Sequence, residues 1–201
     1  MEIILVRHCE TDWNKENRCQ GISDLSLNQA GLKQAENLRS YFNNLDIDLI
    51  FSSTLKRAIE TANVINSDKK IPIELIDELR EMDQGDFEGI PFHTLREKYP
   101  VELNEWRKNP DKFRIPNGET LGEVKNRMIK FMKNIVETHR EDKTIIIVSH
   151  NLALSSLLCS ISEKNLVNFT EFTVESGSIS TIDYSNKIFS LKTMDYTKHL
   201  E

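Results

Sequence analysis

Two short apolar runs constrain the fold of this chain more than any other feature. Residues 3–6 near the start and 145–148 near the end consist entirely of Ile, Leu and Val. Runs of this length suit strands that are buried on both faces, and they are too short for a membrane span. Each run stops one or two residues before a histidine, at His8 and His150. The chain therefore predicts two buried strands, each with an imidazole at its carboxyl end.

The rest of the chain alternates between strand and helix patterns. The further predicted strands are 46–52, 71–75, 179–184 and 188–192, and the predicted helices are 31–44, 55–65, 120–138 and 151–158. Ser53 or Thr54 is expected to cap the second helix. Such alternation predicts an α/β protein, namely a three-layer αβα sandwich around a mostly parallel sheet, with the last two strands closing the sheet as a hairpin.

Residues 82–118 differ in composition from the rest of the chain. They contain three glycines, four prolines and many charged residues. This composition predicts a loop-rich excursion with short helices near 92–98 and 101–108, and such excursions often cover a site. We expect a single domain over residues 1–199, with the excursion at 82–118 lying over the active site.

Composition and charge exclude several classes of protein. With 38% hydrophobic and 29% charged residues, the chain is neither disordered nor embedded in a membrane. Its net charge of −6 argues against nucleic-acid binding, which requires a basic surface. The three cysteines have no metal-ligand spacing, and too few are present for a disulfide framework. Together with the lack of a signal-peptide pattern, they predict a cytoplasmic protein without a metal or cofactor.

The strand ends bring possible cations together. If the two apolar runs are central and parallel, then Arg7, His8 and His150 emerge at one edge of the sheet. The strand at 46–52 ends at the same edge and leads to Arg57 in the next helix. Groups of like charge converge only where an anion compensates them, and a phosphate dianion fits.

The ordered motifs resemble those of the histidine phosphatase superfamily, in its phosphoglycerate mutase-like branch. They run in the family's order over residues 3–158, and the set is far more specific than any one member. The matching segments are 5–8 (Leu-Val-Arg-His), 10–11, 13–14, 20–21, 24, 27, 31, 52–58 (Ser-Ser-Thr-Leu-Lys-Arg-Ala), 61–62, 79–82 (Leu-Arg-Glu-Met), 85–89, 116–120 and 148–150 (Val-Ser-His).

The resemblance implies a role for each matching residue. His8 would accept the phosphoryl group as a neutral nucleophile, and Glu81 would protonate the leaving alkoxide and then deprotonate water. For the first step the pKa of Glu81 should be raised. Other acids nearby compete for this role, namely Glu78, Asp83, Asp86 and Glu88. The phosphate-binding residues implied are Arg7, Asn14, Gln20, Gly21, Arg57, His150 and Asn151.

One residue departs from the family pattern. The superfamily usually has glycine after the Arg-His pair, whereas this chain has Cys9. If the backbone there needs a positive φ, cysteine is strained. If the glycine only provides room, the thiol narrows the pocket or is open to oxidation.

The leading hypothesis is a metal-independent phosphomonoesterase that acts on a small phosphorylated metabolite. The main alternative is a cofactor-dependent phosphoglycerate mutase, although family mutases carry longer segments after the position of Glu81. Two remoter alternatives are a metal-dependent hydrolase that uses His8, His150 and Glu81 as ligands, and an inactive binding module. The sequence leaves the oligomeric state open, with a homodimer as one option.

Overall fold

The computed structural model describes residues 1–201, and all six strands belong to one sheet. The strands are β1 (Glu2–Arg7), β2 (Leu49–Ser53), β3 (Ile73–Ile76), β4 (Thr144–Ser149), β5 (Ile179–Ser185) and β6 (Ile188–Tyr196). Their spatial order is β3-β2-β4-β1-β5-β6. The first four are parallel, whereas β5 and β6 run antiparallel as a hairpin beside β1. The predicted mostly parallel sheet is therefore confirmed.

Seven α-helices surround the sheet. They are α1 (Asp12–Lys15), α2 (Gln29–Phe42), α3 (Lys56–Ile65), α4 (Phe92–Lys98), α5 (Pro100–Lys108), α6 (Leu121–Thr138) and α7 (Asn151–Ile161). Sequence patterning predicted six of these helices to within about two residues at most ends, and a similar error at helix ends separates methods of assigning structure. The short α1 was not predicted.

Two apolar clusters, one on each face of the sheet, join the sheet to the two outer layers of helices. Successive side chains of a strand point to opposite faces, so Ile3 and Ile4 of β1 belong to different clusters. One cluster packs the sheet against α6 and α7, and the other packs it against α2 and α3. The predicted three-layer αβα sandwich is confirmed.

The predicted cap of α3 is wrong. Leu55 occupies the N-cap position, and its side chain makes no capping hydrogen bond. The two expected caps are engaged elsewhere, because Ser53 hydrogen-bonds His150 and Thr54 donates to Asp77. The polar residues before α3 therefore bind other side chains instead of capping the helix.

The excursion at 82–118 contacts the segment that follows β1. Cys19 exchanges two backbone hydrogen bonds with this region, from its N–H to Ile90 O and from Gly89 N–H to its own carbonyl, at 2.9 and 2.8 Å. Arg18 and Pro91 form an isolated antiparallel bridge at the same place. These bonds fix the excursion beside the residues that follow the first histidine. No helix of the protein is both long enough and apolar enough to cross a membrane.

Candidate active site

The two histidines at the strand ends lie side by side. The parallel register of β1 and β4 pairs Arg7 with Ser149, the residues that directly precede the histidines. The ring centroids of His8 and His150 are 5.0 Å apart, and both residues are buried. Parallel strand pairing has thus brought together two residues that are far apart in the sequence.

His8 has a fixed tautomer. Its Nδ1 lies 2.7 Å from the carbonyl oxygen of Cys9. A carbonyl oxygen can only accept, so Nδ1 carries the proton and Nε2 keeps its lone pair. Burial, followed by the charges of Arg57 and Arg7, holds the pKa of His8 well below its usual range. The ring is therefore neutral near pH 7, as a nucleophilic imidazole must be.

His150 has the opposite tautomer. Its Nδ1 accepts a hydrogen bond from the Nε of Arg57 at 3.2 Å, so its proton is on Nε2, which donates to the Ser53 hydroxyl at 2.8 Å. Burial, with the Arg57 charge as the second cause, holds the pKa of His150 well below its usual range. Of the four possible cations that the sequence brings together, the two histidines are therefore neutral.

Arg57 is fully buried on α3 and is held from three sides. Besides its bond to His150, its Nη1 donates to Ser23 O at 2.8 Å and its Nη2 to Gly21 O at 2.7 Å. Burial lowers the pKa of Arg57 to about 10, which leaves the guanidinium protonated near pH 7. Arg57 thus contributes a fixed positive charge beside the two rings.

Two buried nitrogen donors of the site, one on Arg7 and one on Gln20, have no hydrogen-bond partner in the protein. Nη1 of Arg7 donates to Val174 O at 2.6 Å, but Nε of Arg7 makes no hydrogen bond, and neither does Nε2 of Gln20. Buried donors are almost always satisfied by protein, water or a ligand. Since both residues line the same cavity, that cavity is suited to an anion.

Glu81 is buried, and its carboxyl group contacts the first residues of α7. It accepts backbone hydrogen bonds from Met82, Leu152 and Ala153 at 2.9, 3.1 and 3.1 Å. Burial nevertheless raises the pKa of Glu81, although these hydrogen bonds and the Arg57 charge act in the opposite direction. The group has the raised pKa that a general acid requires.

A cavity of about 260 Å³ opens beside His8. Six of the residues predicted for the site line it, namely Arg7, His8, Asn14, Gln20, Glu81 and Asn151. Gly21, Arg57 and His150 do not line the cavity; Arg57 and His150 are fully buried and Gly21 bonds to Arg57. The structure therefore divides the predicted site into groups at the cavity wall and groups behind it.

Asn14 and Asn151 each use their side-chain oxygen within the protein. Oδ1 of Asn14 accepts from the N–H and the hydroxyl of Thr11, and Oδ1 of Asn151 accepts from Val174 N–H at 3.0 Å. This fixes the orientation of each amide and leaves its NH₂ group available to an acceptor in the cavity.

No group of three or more His, Cys, Asp or Glu side chains is placed to hold a metal ion. The alternative in which His8, His150 and Glu81 act as metal ligands therefore has no geometry in its favour.

One family model matches nearly the whole chain. The family model described as the histidine phosphatase superfamily, branch 1, matches residues 3–197. The chain belongs to this superfamily. The resemblance inferred from the ordered motifs is confirmed.

The relatives of this chain include phosphatases and mutases. The chain is 32% identical over 200 residues to phosphoserine phosphatase 1 of Hydrogenobacter thermophilus, covering 100% of this chain and 94% of that protein. It is 28% identical over 200 residues to a 2,3-bisphosphoglycerate-dependent phosphoglycerate mutase of Cytophaga hutchinsonii, covering 98% and 93%. The solved structure of Bacillus stearothermophilus YhfR superimposes with a TM-score of 0.92 at 28% identity, covering 100% and 99%. The expectation of an enzyme of the histidine phosphatase type is confirmed.

Sequence reasoning missed two parts of the site. Ser53 orients His150, and Thr61 accepts a 3.1 Å hydrogen bond from the backbone N–H of Cys9. Both lie in motifs that match the superfamily, so the motifs held a signal for them. The second part is a 3₁₀ helix at Leu166–Phe172, from which Phe169 and Thr170 line the cavity. No pattern in the sequence indicated that this segment returns to the site.

The concerns raised by Cys9 are resolved by its environment. Cys9 has no positive φ, so the backbone is not strained. Its side chain is fully buried in the apolar cluster under α2 and α3 and does not line the cavity. Burial raises the pKa of its thiol to about 12, which keeps it protonated and unreactive.

Restoring the family glycine should destabilise this protein. We expect Cys9→Gly to lower the free energy of unfolding by about 1–2 kcal/mol, since it leaves a small cavity and frees the unfolded backbone. Denaturation by urea measures this change. Phosphatase activity should stay within about twofold, because the thiol does not reach the cavity. An increase in stability would show that the backbone at Cys9 is strained.

The two buried neutral histidines should make the protein sensitive to mild acid. In the unfolded chain they titrate near 6.5, whereas folding holds both pKa values well below that. The stability that they contribute is therefore present above pH 6.5 and is lost as the pH falls. Each can remove up to about 1.4 kcal/mol per pH unit, and the raised pKa of Glu81 offsets part of this loss.

Urea denaturation between pH 7 and pH 5 in phosphate-free buffer measures this loss. His8→Asn should reduce the slope of unfolding free energy against pH, whereas His93→Gln, at an exposed histidine, should leave it unchanged. A slope that is the same in all three proteins would contradict the prediction.

Proposed function

We propose that the protein hydrolyses phosphomonoesters through a phosphohistidine on His8, without a metal ion. The observation that carries this proposal is the hydrogen bond from Nδ1–H of His8 to the Cys9 carbonyl. It leaves the Nε2 lone pair free in a residue that lines the cavity. Arg7 and Arg57 supply the positive charge that a metal ion supplies in many other phosphatases.

The reaction proceeds in two displacements. In the first, Nε2 of His8 attacks phosphorus, the bond to the alcohol oxygen breaks, and Glu81 gives its proton to the departing alkoxide. In the second, the Glu81 carboxylate takes a proton from water, the hydroxide attacks phosphorus, and the bond to Nε2 breaks. Phosphate leaves, and both residues return to their starting forms.

The remaining residues stabilise charge on the transferring group. Arg7 and Gln20 offer the buried donors that have no partner in the protein, and Asn14 and Asn151 offer their NH₂ groups. Arg57 and His150 act from behind the cavity wall, where Gly21 provides a carbonyl that holds Arg57. Donors fixed in advance stabilise developing charge without the cost of reorientation.

The cavity wall supports a substrate with an apolar alcohol portion. Beyond the polar residues, the cavity is lined by apolar side chains of the excursion and of the segments after β4, namely Phe87, Phe92, Leu95, Leu103, Trp106, Ile115, Leu152 and Phe169. Trp106 and Phe169 come from different segments and their ring centroids are 5.0 Å apart. An apolar group placed here is removed from water, which favours its binding.

This substrate preference can be tested with aliphatic esters of equal leaving-group basicity. We expect kcat/KM for 3-phenylpropyl phosphate to exceed that for propyl phosphate by about 10-fold or more, from burial of a phenyl group. Trp106→Ala should reduce this ratio without changing the value for propyl phosphate. A ratio near one in the wild-type protein would contradict an apolar substrate.

A phosphoglycerate mutase is the second candidate, because the expected difference in segment length is absent from one mutase relative. The alignment covers 93% of the Cytophaga hutchinsonii mutase, so chain length does not separate the two activities. A mutase returns the phosphoryl group to a second acceptor and keeps water away from it. Incubation with 3-phosphoglycerate and a trace of its bisphosphate decides between them. Hydrolysis releases inorganic phosphate, whereas 2-phosphoglycerate formed without phosphate release would overturn the phosphatase proposal.

A further inference from the structure

The excursion carries a carboxylate that the proposed mechanism does not use. Glu88 is partly buried and accepts hydrogen bonds from the backbone N–H groups of Ile22 and Ser23, at 2.6 and 2.8 Å. It also accepts from the Ser23 hydroxyl. One side chain of the excursion thus holds three donors of the loop that follows α1.

The same loop holds Arg57 through its carbonyl groups. Nη2 of Arg57 donates to Gly21 O, and the N–H of that same peptide unit, which belongs to Ile22, donates to Glu88. Hydrogen bonds at the two ends of one peptide unit polarise each other. The Glu88 charge therefore strengthens the hydrogen bond from Arg57 to the Gly21 carbonyl. Ser23 adds a second connection through two neighbouring peptide units, because its N–H donates to Glu88 and its carbonyl accepts from Nη1 of Arg57.

Gly21 provides the space for this contact. A Cβ atom at residue 21 would overlap with Oε1 of Glu88. The glycine of the Gln20-Gly21 motif therefore lets the carboxylate approach the peptide that holds the guanidinium.

We propose that Glu88 is a positioning residue that sets the orientation of Arg57 and, through it, of His150. The chain of contacts runs from Glu88 through the peptide at Gly21 to Arg57, and from the Nε of Arg57 to Nδ1 of His150, whose ring lies beside His8. This inference rests on the proposed function, because it assigns Glu88 a part in phosphoryl transfer.

A double-mutant cycle tests whether Glu88 acts through Arg57. We expect Glu88→Gln to lower kcat/KM for p-nitrophenyl phosphate and the affinity for inorganic phosphate by about 10- to 100-fold, because the guanidinium loses its fixed orientation. In an Arg57→Lys background, where the planar fork is absent, the same change should cost less than about twofold. If Glu88 is merely structural, Glu88→Gln should lower kcat/KM and phosphate affinity by the same factor in both backgrounds. That result would overturn the proposal.

Glu60 provides the matched control. Glu60 is also partly buried, and it accepts a hydrogen bond of 2.7 Å from the backbone N–H of Leu27 in the same loop. Leu27, however, makes no hydrogen bond to Arg57. Glu60→Gln should leave activity and phosphate affinity within about threefold, at a similar thermal stability. A loss equal to that of Glu88→Gln would also overturn the proposal.

Phosphate binding, measured by calorimetry, separates this proposal from the proposed function. If the wild-type protein binds phosphate but hydrolyses no ester, the proposed function fails, and the phosphate affinities of the variants still decide the role of Glu88. If hydrolysis is present and Glu88→Gln matches the wild type in rate and affinity, the positioning role alone fails. A wild-type protein that binds no phosphate overturns both.

Discussion

A His8→Ala protein should hydrolyse phosphomonoesters at least about 10⁴-fold more slowly than the wild type, because the nucleophile acts together with the rest of the site as one unit. The loss follows from the neutral Nε2 lone pair, which is fixed by the hydrogen bond to the Cys9 carbonyl. The variant should also carry no acid-labile, alkali-stable phosphate after it is mixed with substrate and quenched. Turnover by initial rates and phosphoenzyme by labelled substrate measure the two effects.

His93→Ala is the control for this prediction. His93 is an exposed residue of the excursion on α4, so its loss should leave both turnover and phosphoenzyme unchanged. A His8→Ala protein that keeps most of its turnover would mean that phosphorus is attacked by another group. Removal of the His8 ring also removes part of the acid sensitivity, so the free energy of unfolding should fall less between pH 7 and pH 5 in His8→Ala than in the wild type.

The convergence of the site could be predicted from the sequence because it depends on strand order alone. Parallel strands that end at one edge bring His8 and His150 together whatever their side-chain rotamers are. The same argument placed Arg57, which follows the neighbouring strand β2. These positions needed the apolar runs and the assumption that the strands are central and parallel, which the strand order confirms.

The resemblance implied a neutral His8 and a raised pKa for Glu81, but the partners that hold the two histidines could not be predicted from strand order. The tautomers of the two histidines depend on individual acceptors, the Cys9 carbonyl and the Ser53 hydroxyl, whose positions are set by the local turn of the backbone. The cavity wall is a similar case, because Phe169 reaches it through a 3₁₀ helix whose apolar residues recur at every third position, a pattern that indicates a buried face but not which cavity it lines. The effect of Cys9 also could not be predicted, because it depends on the apolar cluster in which the side chain is buried.

A Glu81→Gln protein should show a loss that depends on the leaving group. In the first turnover, alcohol release from propyl phosphate should slow by about 10²- to 10⁴-fold, since an alkoxide needs a proton as it departs. Release of p-nitrophenol should slow far less, because p-nitrophenolate is a stable leaving group. Rapid-quench measurement of the first turnover is the suitable assay, because later turnovers also depend on Glu81 as the base for water.

The pH dependence provides a second test of the acid. Because burial raises the pKa of Glu81, the wild-type protein should release propanol fastest below that raised pKa and progressively more slowly as the pH rises through it. Glu81→Gln should lack this decline, whereas Glu78→Gln, on the same segment, should keep both the rate and the decline. If p-nitrophenyl and propyl phosphate slow equally in the first turnover of Glu81→Gln, the residue does not donate the proton and its role is confined to positioning the start of α7.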